Sequence, residues 1–168
     1  MFMRASVLFV LLSFAFVQGC KIYSFSGANI PADIKTVQIE LFQNRANNGP
    51  ALLSQLFTDR LKNKFITEGN LKQVGVDGDL QFKGYISSFT YTNQAPTAGI
   101  SSSLNRLTIS VTVDFVNANE EKDKWQQVFT RFAEAPSSED IFSIENRLID
   151  EINKQLVDDI FNKALVKW

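Results

Sequence analysis

Hydrophobic positions along this chain change period several times, and each change marks an element. From Lys35 the period is two: Val37, Ile39 and Leu41 point one way while Thr36, Gln38 and Glu40 point the other, as in a half-buried strand. Asn44–Gly49 is turn chemistry, and Pro50 suits the first position of a helix, where its missing N–H costs nothing. Leu53, Leu56, Phe57, Leu61 and Phe65 follow at helical spacing, with Gly69 as the stop. Leu71–Val76 reads as a short strand closed by the turn Asp77-Gly78-Asp79. In the next strand Leu80, Phe82 and Ile86 share a face, but the apolar parity then moves to Phe89 and Tyr91. A shift of that kind calls for a bulge or a twist near Ser87-Ser88, and Gly84 marks a close backbone approach.

Thr92–Ser103 breaks the alternation, with Ile100 its only bulky apolar residue. It reads either as a functional tip or as a solvated connector between two long hairpin strands. Leu107, Ile109, Val111, Val113 and Phe115 then alternate with polar residues in the clearest strand of the chain. Asn117–Asp123 is a charged turn, and Trp125–Phe132 is a further strand with Trp125 and Phe129 on one face and Val128 and Phe132 on the other. Pro136 ends it. Ser137 is placed to cap a helix, with Asp140 at the reciprocal position. Ile141, Ile144, Leu148, Ile152, Leu156, Ile160 and Ala164, widened by Ile149 and Phe161, form one long apolar stripe. The fold class expected from this order is α+β: a two-layer sandwich whose mixed, mostly antiparallel sheet carries both helices on one face.

The first residues do not belong to that domain. Arg4, the apolar run Ala5–Phe16 and Gly19 supply the three parts of a secretory signal, and the cut falls before Cys20, the single cysteine of 168 residues. Val17-Gln18-Gly19-Cys20 resembles the lipobox of bacterial lipoproteins, in which the cysteine thiol takes a diacylglyceryl group. The apolar run is short of the roughly 20 residues a membrane-spanning helix needs. The expected organisation is a signal peptide over 1–19, a lipidated tether over 20–34 and a single domain over 35–168. No acidic run follows Cys20, so the default placement faces the periplasm.

Composition narrows the chemistry. Histidine is absent, and with Cys20 lipidated no thiol remains, so the usual Ser–His and Cys–His nucleophile systems are excluded. With 17 Lys and Arg against 18 Asp and Glu, the chain lacks the basic footprint of a nucleic-acid binder. Asp77 and Asp79 lack the further ligands of a calcium loop, so no metal or cofactor is expected. Glu120-Glu121 and Asp158-Asp159 read as a polar turn and a helix surface. A Ser–Lys dyad or a carboxylate pair formed only in space stays open, but the expected class is non-catalytic binding or assembly.

Several stretches together resemble the LptE family of lipopolysaccharide-assembly lipoproteins, in the version carried by bacteroidete-type outer membranes. They are Cys20 with Tyr23-Ser24-Phe25-Ser26-Gly27 and Ile30-Pro31, then Phe42-Gln43-Asn44-Arg45-Ala46, Asp77–Gly84, Asn105–Ile109 and Leu156–Asn162. The resemblance implies a lipoprotein anchored in the inner leaflet of the outer membrane, plugging the LptD-type β-barrel that inserts lipopolysaccharide into the outer leaflet. It also implies contact with lipopolysaccharide through basic residues near one end of the domain, although those positions do not map one by one. Arg45, in the first turn, and Arg106, at the base of the loop, are the candidates on chemical grounds, since a guanidinium fork suits phosphate. Each is also readable as a solubilising surface charge. The alternative reading is a free-standing periplasmic lipoprotein holding a small apolar ligand between helices and sheet.

Overall fold

Alternation becomes a sheet because each strand has one face to bury. In this computed structural model, which describes residues 30–95, 103–120 and 122–165, the elements are β1 (Thr36–Ile39), β2 (Gln43–Asn44), α1 (Leu53–Thr67), β3 (Lys72–Gln73), β4 (Leu80–Gln94), β5 (Leu104–Asn117), β6 (Lys124–Pro136) and α2 (Ile141–Leu165). The strand order is β3-β1-β4-β5-β6, with β2 also pairing with β4. β1 and β2 run parallel to β4, and β3 parallel to β1. The long strands β4, β5 and β6 are antiparallel. Both helices cover one face, as the alternation requires.

Register brings the apolar positions into rows across the sheet. Phe82 lies opposite Phe115 and Phe115 opposite Trp125; Gly84, Val113 and Gln127 make the next row on that face, and Ile86, Val111 and Phe129 the one after. The register shift between Ile86 and Ser88 then moves the buried parity, so that Phe89 meets Ile109 and Tyr91 meets Leu107. The expected bulge is present, and without it Phe89 would face solvent. Phe rings fill the space between layers: Phe42 stands 5.3 Å from Phe57, Phe65 4.7 Å from Phe82 and 5.1 Å from Phe161, and Phe82 5.0 Å from Phe115.

Several local expectations change. β1 ends at Ile39, and Leu41 is exposed while Phe42 enters the core. Thr58 explains the turn-in: its Oγ1 accepts from the Phe42 N–H at 3.0 Å and donates to the Ser54 carbonyl at 2.7 Å. Pro50 precedes rather than opens α1, its carbonyl taking the Leu53 N–H. Leu56 lies outside the core stripe, about half exposed. At the other end of α1 the left-handed residue is Asn70, with φ 51°. Gly69 is needed for a different reason: a Cβ there would stand 2.6 Å from the Phe65 carbonyl oxygen. The cap of α2 is Asp140, whose Oδ2 accepts from the Ser143 N–H, while Ser137 bonds Ser103 across the hairpin end. The helix begins later than the sequence pattern implies because β6 runs through Pro136.

Asp79 fastens the parallel side of the sheet. One oxygen, Oδ2, accepts from the N–H groups of Lys35 and Thr36, each at 2.9 Å, and from the Thr36 hydroxyl at 2.8 Å. The Lys35 N–H, followed by the Thr36 bonds, holds the Asp79 carboxyl below its ordinary pKa of 3.8. A depressed carboxylate contributes stability that is full above the unfolded-state value and is lost as pH falls through the folded-state one. Asp79→Asn is therefore expected to flatten the fall of the thermal midpoint between about pH 5 and about pH 2. An unchanged acid limb in a calorimetric pH series would contradict this.

Candidate functional site

The helix-free face of the sheet is built by the positions that alternate with the core. Across β4, β5 and β6 its rows are Ser88–Ser110–Thr130, Tyr85–Thr112–Val128 and Thr92–Arg106–Glu134. Hydroxyls bond along it, Ser110 Oγ lying 2.8 Å from Thr130 Oγ1, and Gln126 donates to Asp114 Oδ1 at 2.6 Å. None of the described elements covers this face. It is a flat polar surface with Val128 and Phe132 as its exposed apolar residues on β6.

Both candidate arginines lie on this side, and their surroundings differ. Arg45 leaves β2 with its N–H bonded to the Ile86 carbonyl at 2.9 Å, and its guanidinium sits 4.2 Å over the Tyr85 ring. It forms no ion pair among the described residues. Arg106 stacks 4.1 Å over Phe132, and its Nε and Nη2 reach Glu134 Oε1 at 2.8 and 2.6 Å. The structure does not bring the two together. Tyr85 and the Arg106 partner Thr92 are seven positions apart on β4, roughly 20 Å at strand rise. Tyr85 and Phe132, which the sequence did not mark, are the aromatic platforms that fix these guanidinium groups.

Other acidic and basic groups are engaged in structure. Asp158 pairs with Lys64 at 2.7 Å, and Asp159 grips Arg131 through both oxygens at 2.6 and 2.7 Å. Burial acts to lower the Lys64 pKa, but the Asp158 and Glu68 bonds outweigh it and hold the ammonium above its ordinary value. Tyr91 donates to Glu145 at 3.0 Å; burial, then that bond and charge, hold the phenol well above its ordinary range. No group of three or more acidic, His or Cys side chains suited to a metal ion occurs among the described residues. No helix among them is long and apolar enough to cross a membrane. Edge-on and tilted Phe rings, described above, fill the interlayer space a small apolar ligand would need.

Cys20, the expected lipid site, lies outside the described residues, as does the 96–102 tip. The first described residue, Ile30, is half-buried and packs against the core. Ten residues at full extension span at most about 36 Å, so an anchor at Cys20 would hold the domain close to a membrane surface.

A family model for LptE, lipopolysaccharide-assembly, matches residues 34–164. Comparison with curated protein sequences finds no match. Among solved structures, a hypothetical protein from Chlamydia trachomatis superposes with a TM-score of 0.56 at 9% identity, covering 80% of this chain and 99% of that one. A protein from Xanthomonas campestris superposes with a TM-score of 0.59 at 11% identity, covering 82% and 87% respectively. At such identities the likeness is one of fold. The family match is of another kind, since it takes in both helices and the whole sheet, and by it the chain belongs to the LptE family of lipopolysaccharide-assembly proteins.

Proposed function

We propose that this protein is a lipid-anchored, periplasm-facing component of the outer membrane that plugs an LptD-type β-barrel and supports lipopolysaccharide insertion without catalysing a reaction. The observation that carries this reading is the uncovered hydroxyl-rich face of β4, β5 and β6. Many two-layer domains leave one polar sheet face to water; here that face also suits the polar interior wall of a large barrel. Family membership supports the same role, and the packed aromatic core supplies a rigid body. Cys20 would carry the anchor. Arg45, with its charge uncommitted, is the residue assigned to a lipopolysaccharide phosphate; Arg106, committed to Glu134, is assigned a structural role at the loop base.

One experiment tests the partner and the site together. Affinity purification of the full-length protein from detergent-solubilised outer membranes is expected to recover a near-stoichiometric large β-barrel with lipopolysaccharide. Arg45→Glu is expected to lower the co-recovered lipopolysaccharide about tenfold, the scale of one charge-assisted contact, with the barrel yield unchanged. A clean monomer would defeat the plug reading. Equal lipopolysaccharide with Arg45→Glu would defeat the assignment of Arg45.

A further inference from the structure

A second surface lies on the opposite side of the molecule. α1 and α2 run side by side in the same direction, since Arg60 meets Asp150 and Lys64 meets Asp158. Between them opens a groove of about 680 Å³, lined by Leu56, Asp59 and Arg60 from α1 and by Asn146, Asp150 and Asn153 from α2. Asn153 lies in its lining with only 2% of its surface exposed, and its Oδ1 has no hydrogen-bond donor among the described residues. A buried acceptor left unpaired is costly, and native folds rarely leave one without a reason. Exposed apolar residues stand further along the same seam. Leu52 is 66% exposed, Leu56 47% and Phe142 85%. Leu52 precedes Leu56 by one turn of α1, and Phe142 precedes Asn146 by one turn of α2, so all three stand at the same end of the seam.

We propose that this seam docks a polypeptide segment of the partner carrying an apolar side chain beside a Lys or Arg; the inference rests on the reading of this chain as a partner-bound assembly protein. The apolar side chain covers Leu52, Leu56 and Phe142. The cation supplies the missing donor to Asn153 and enters a groove lined by two carboxylates, Asp59, which accepts from Gln55, and Asp150, which pairs with the one guanidinium there, Arg60. The charge balance excludes a lipid phosphate, which brings further negative charge and no donor. An acyl chain would cover the apolar residues and leave the Asn153 oxygen unpaired.

Benzoylphenylalanine is placed at 56 or 142 of the full-length protein in cells, with Glu151, exposed on α2 outside the groove lining, as the control position. After irradiation, cross-linked peptides are identified by mass spectrometry. Positions 56 and 142 are expected to capture one and the same segment, with an apolar residue next to Lys or Arg, and position 151 none. Asn153→Leu is expected to lower the position-142 adduct about tenfold, the equivalent of one lost polar contact, while the thermal midpoint of the purified protein holds or rises. Leu56→Glu, at an exposed position, gives the same loss without touching the core. Lipid-only adducts, no adduct, or a yield indifferent to both substitutions would overturn the proposal; the last would show that water alone satisfies Asn153. A segment from a protein other than a barrel would leave the seam standing and defeat the plug reading. A barrel that copurifies without cross-linking at 56 and 142 would do the reverse.

Discussion

Replacing Phe82 with Ala is expected to remove about 3–5 kcal/mol of stability, the usual cost of emptying a buried aromatic site. Phe82 is 1% exposed and its ring lies between the layers, 4.7 Å from Phe65 on α1 and 5.0 Å from Phe115 on β5. Phe65 in turn meets Phe161 of α2 at 5.1 Å, so a single truncation loosens both helices from the sheet. The rows on either side are held by backbone ladders and cannot close on the gap. A urea titration should show a lower midpoint at an unchanged slope. Phe82→Leu keeps most of the volume and should retain most of the stability. An Ala variant within 1 kcal/mol of the parent, roughly the scale of a tolerated swap, would mean that the two layers are not joined through this ring.

Gly84→Ala is expected to be at least as damaging, although it adds only a methyl group. A Cβ at this position would stand 2.1 Å from the Thr112 carbonyl oxygen and 2.6 Å from the Phe42 ring. The ring has room to shift, but the carbonyl is part of β5, whose neighbour Val113 pairs with Gly84. Relief therefore requires opening the β4–β5 ladder in its middle. The expected loss lies at or beyond the upper end of ordinary overpacking, about 1–3 kcal/mol, and appears as a fall in both urea midpoint and soluble yield. Gly75→Ala is the matched control, because none of the described residues lies within 4 Å of its added carbon. Equal behaviour of the two variants would refute the close approach.

The elements legible in the sequence are those whose side chains divide cleanly between oil and water. Leu107 to Phe115 alternate and are buried at every second position, and the parity change after Ile86 announced the bulge. α2 showed its stripe because it packs along its length. Illegible elements are held by backbone pairing alone. β2 is two residues long and joins through parallel bonds that no side-chain pattern records, whereas β3 falls inside the Leu71–Val76 strand that the sequence marks. The stretch from Thr92 looked like loop because it is polar, yet Thr92–Gln94 pair with Leu104–Arg106. Of the site, the family-wide resemblance and the basic residues were visible. That Arg106 is neutralised by Glu134 and Arg45 is not was invisible, because a cross-strand partner 28 residues away depends on register. Leu56 keeps the spacing of the core residues of α1 and is still about half exposed, because helical spacing gives a stripe its direction but not its width.

The Asp79 clasp also fixes where the molecule would resist being pulled. Tension applied through the residues before Ile30 reaches β1 first, and β1 lies between β3 and β4 with parallel neighbours on both sides. Traction along such a strand shears its bonds together instead of unzipping them one by one. The N–H groups of Lys35 and Thr36, held by Asp79, stand at the point of loading and share the first part of the force. A body tethered at that end can be drawn toward its anchorage without unravelling from it, and one carboxylate would help to hold it whole.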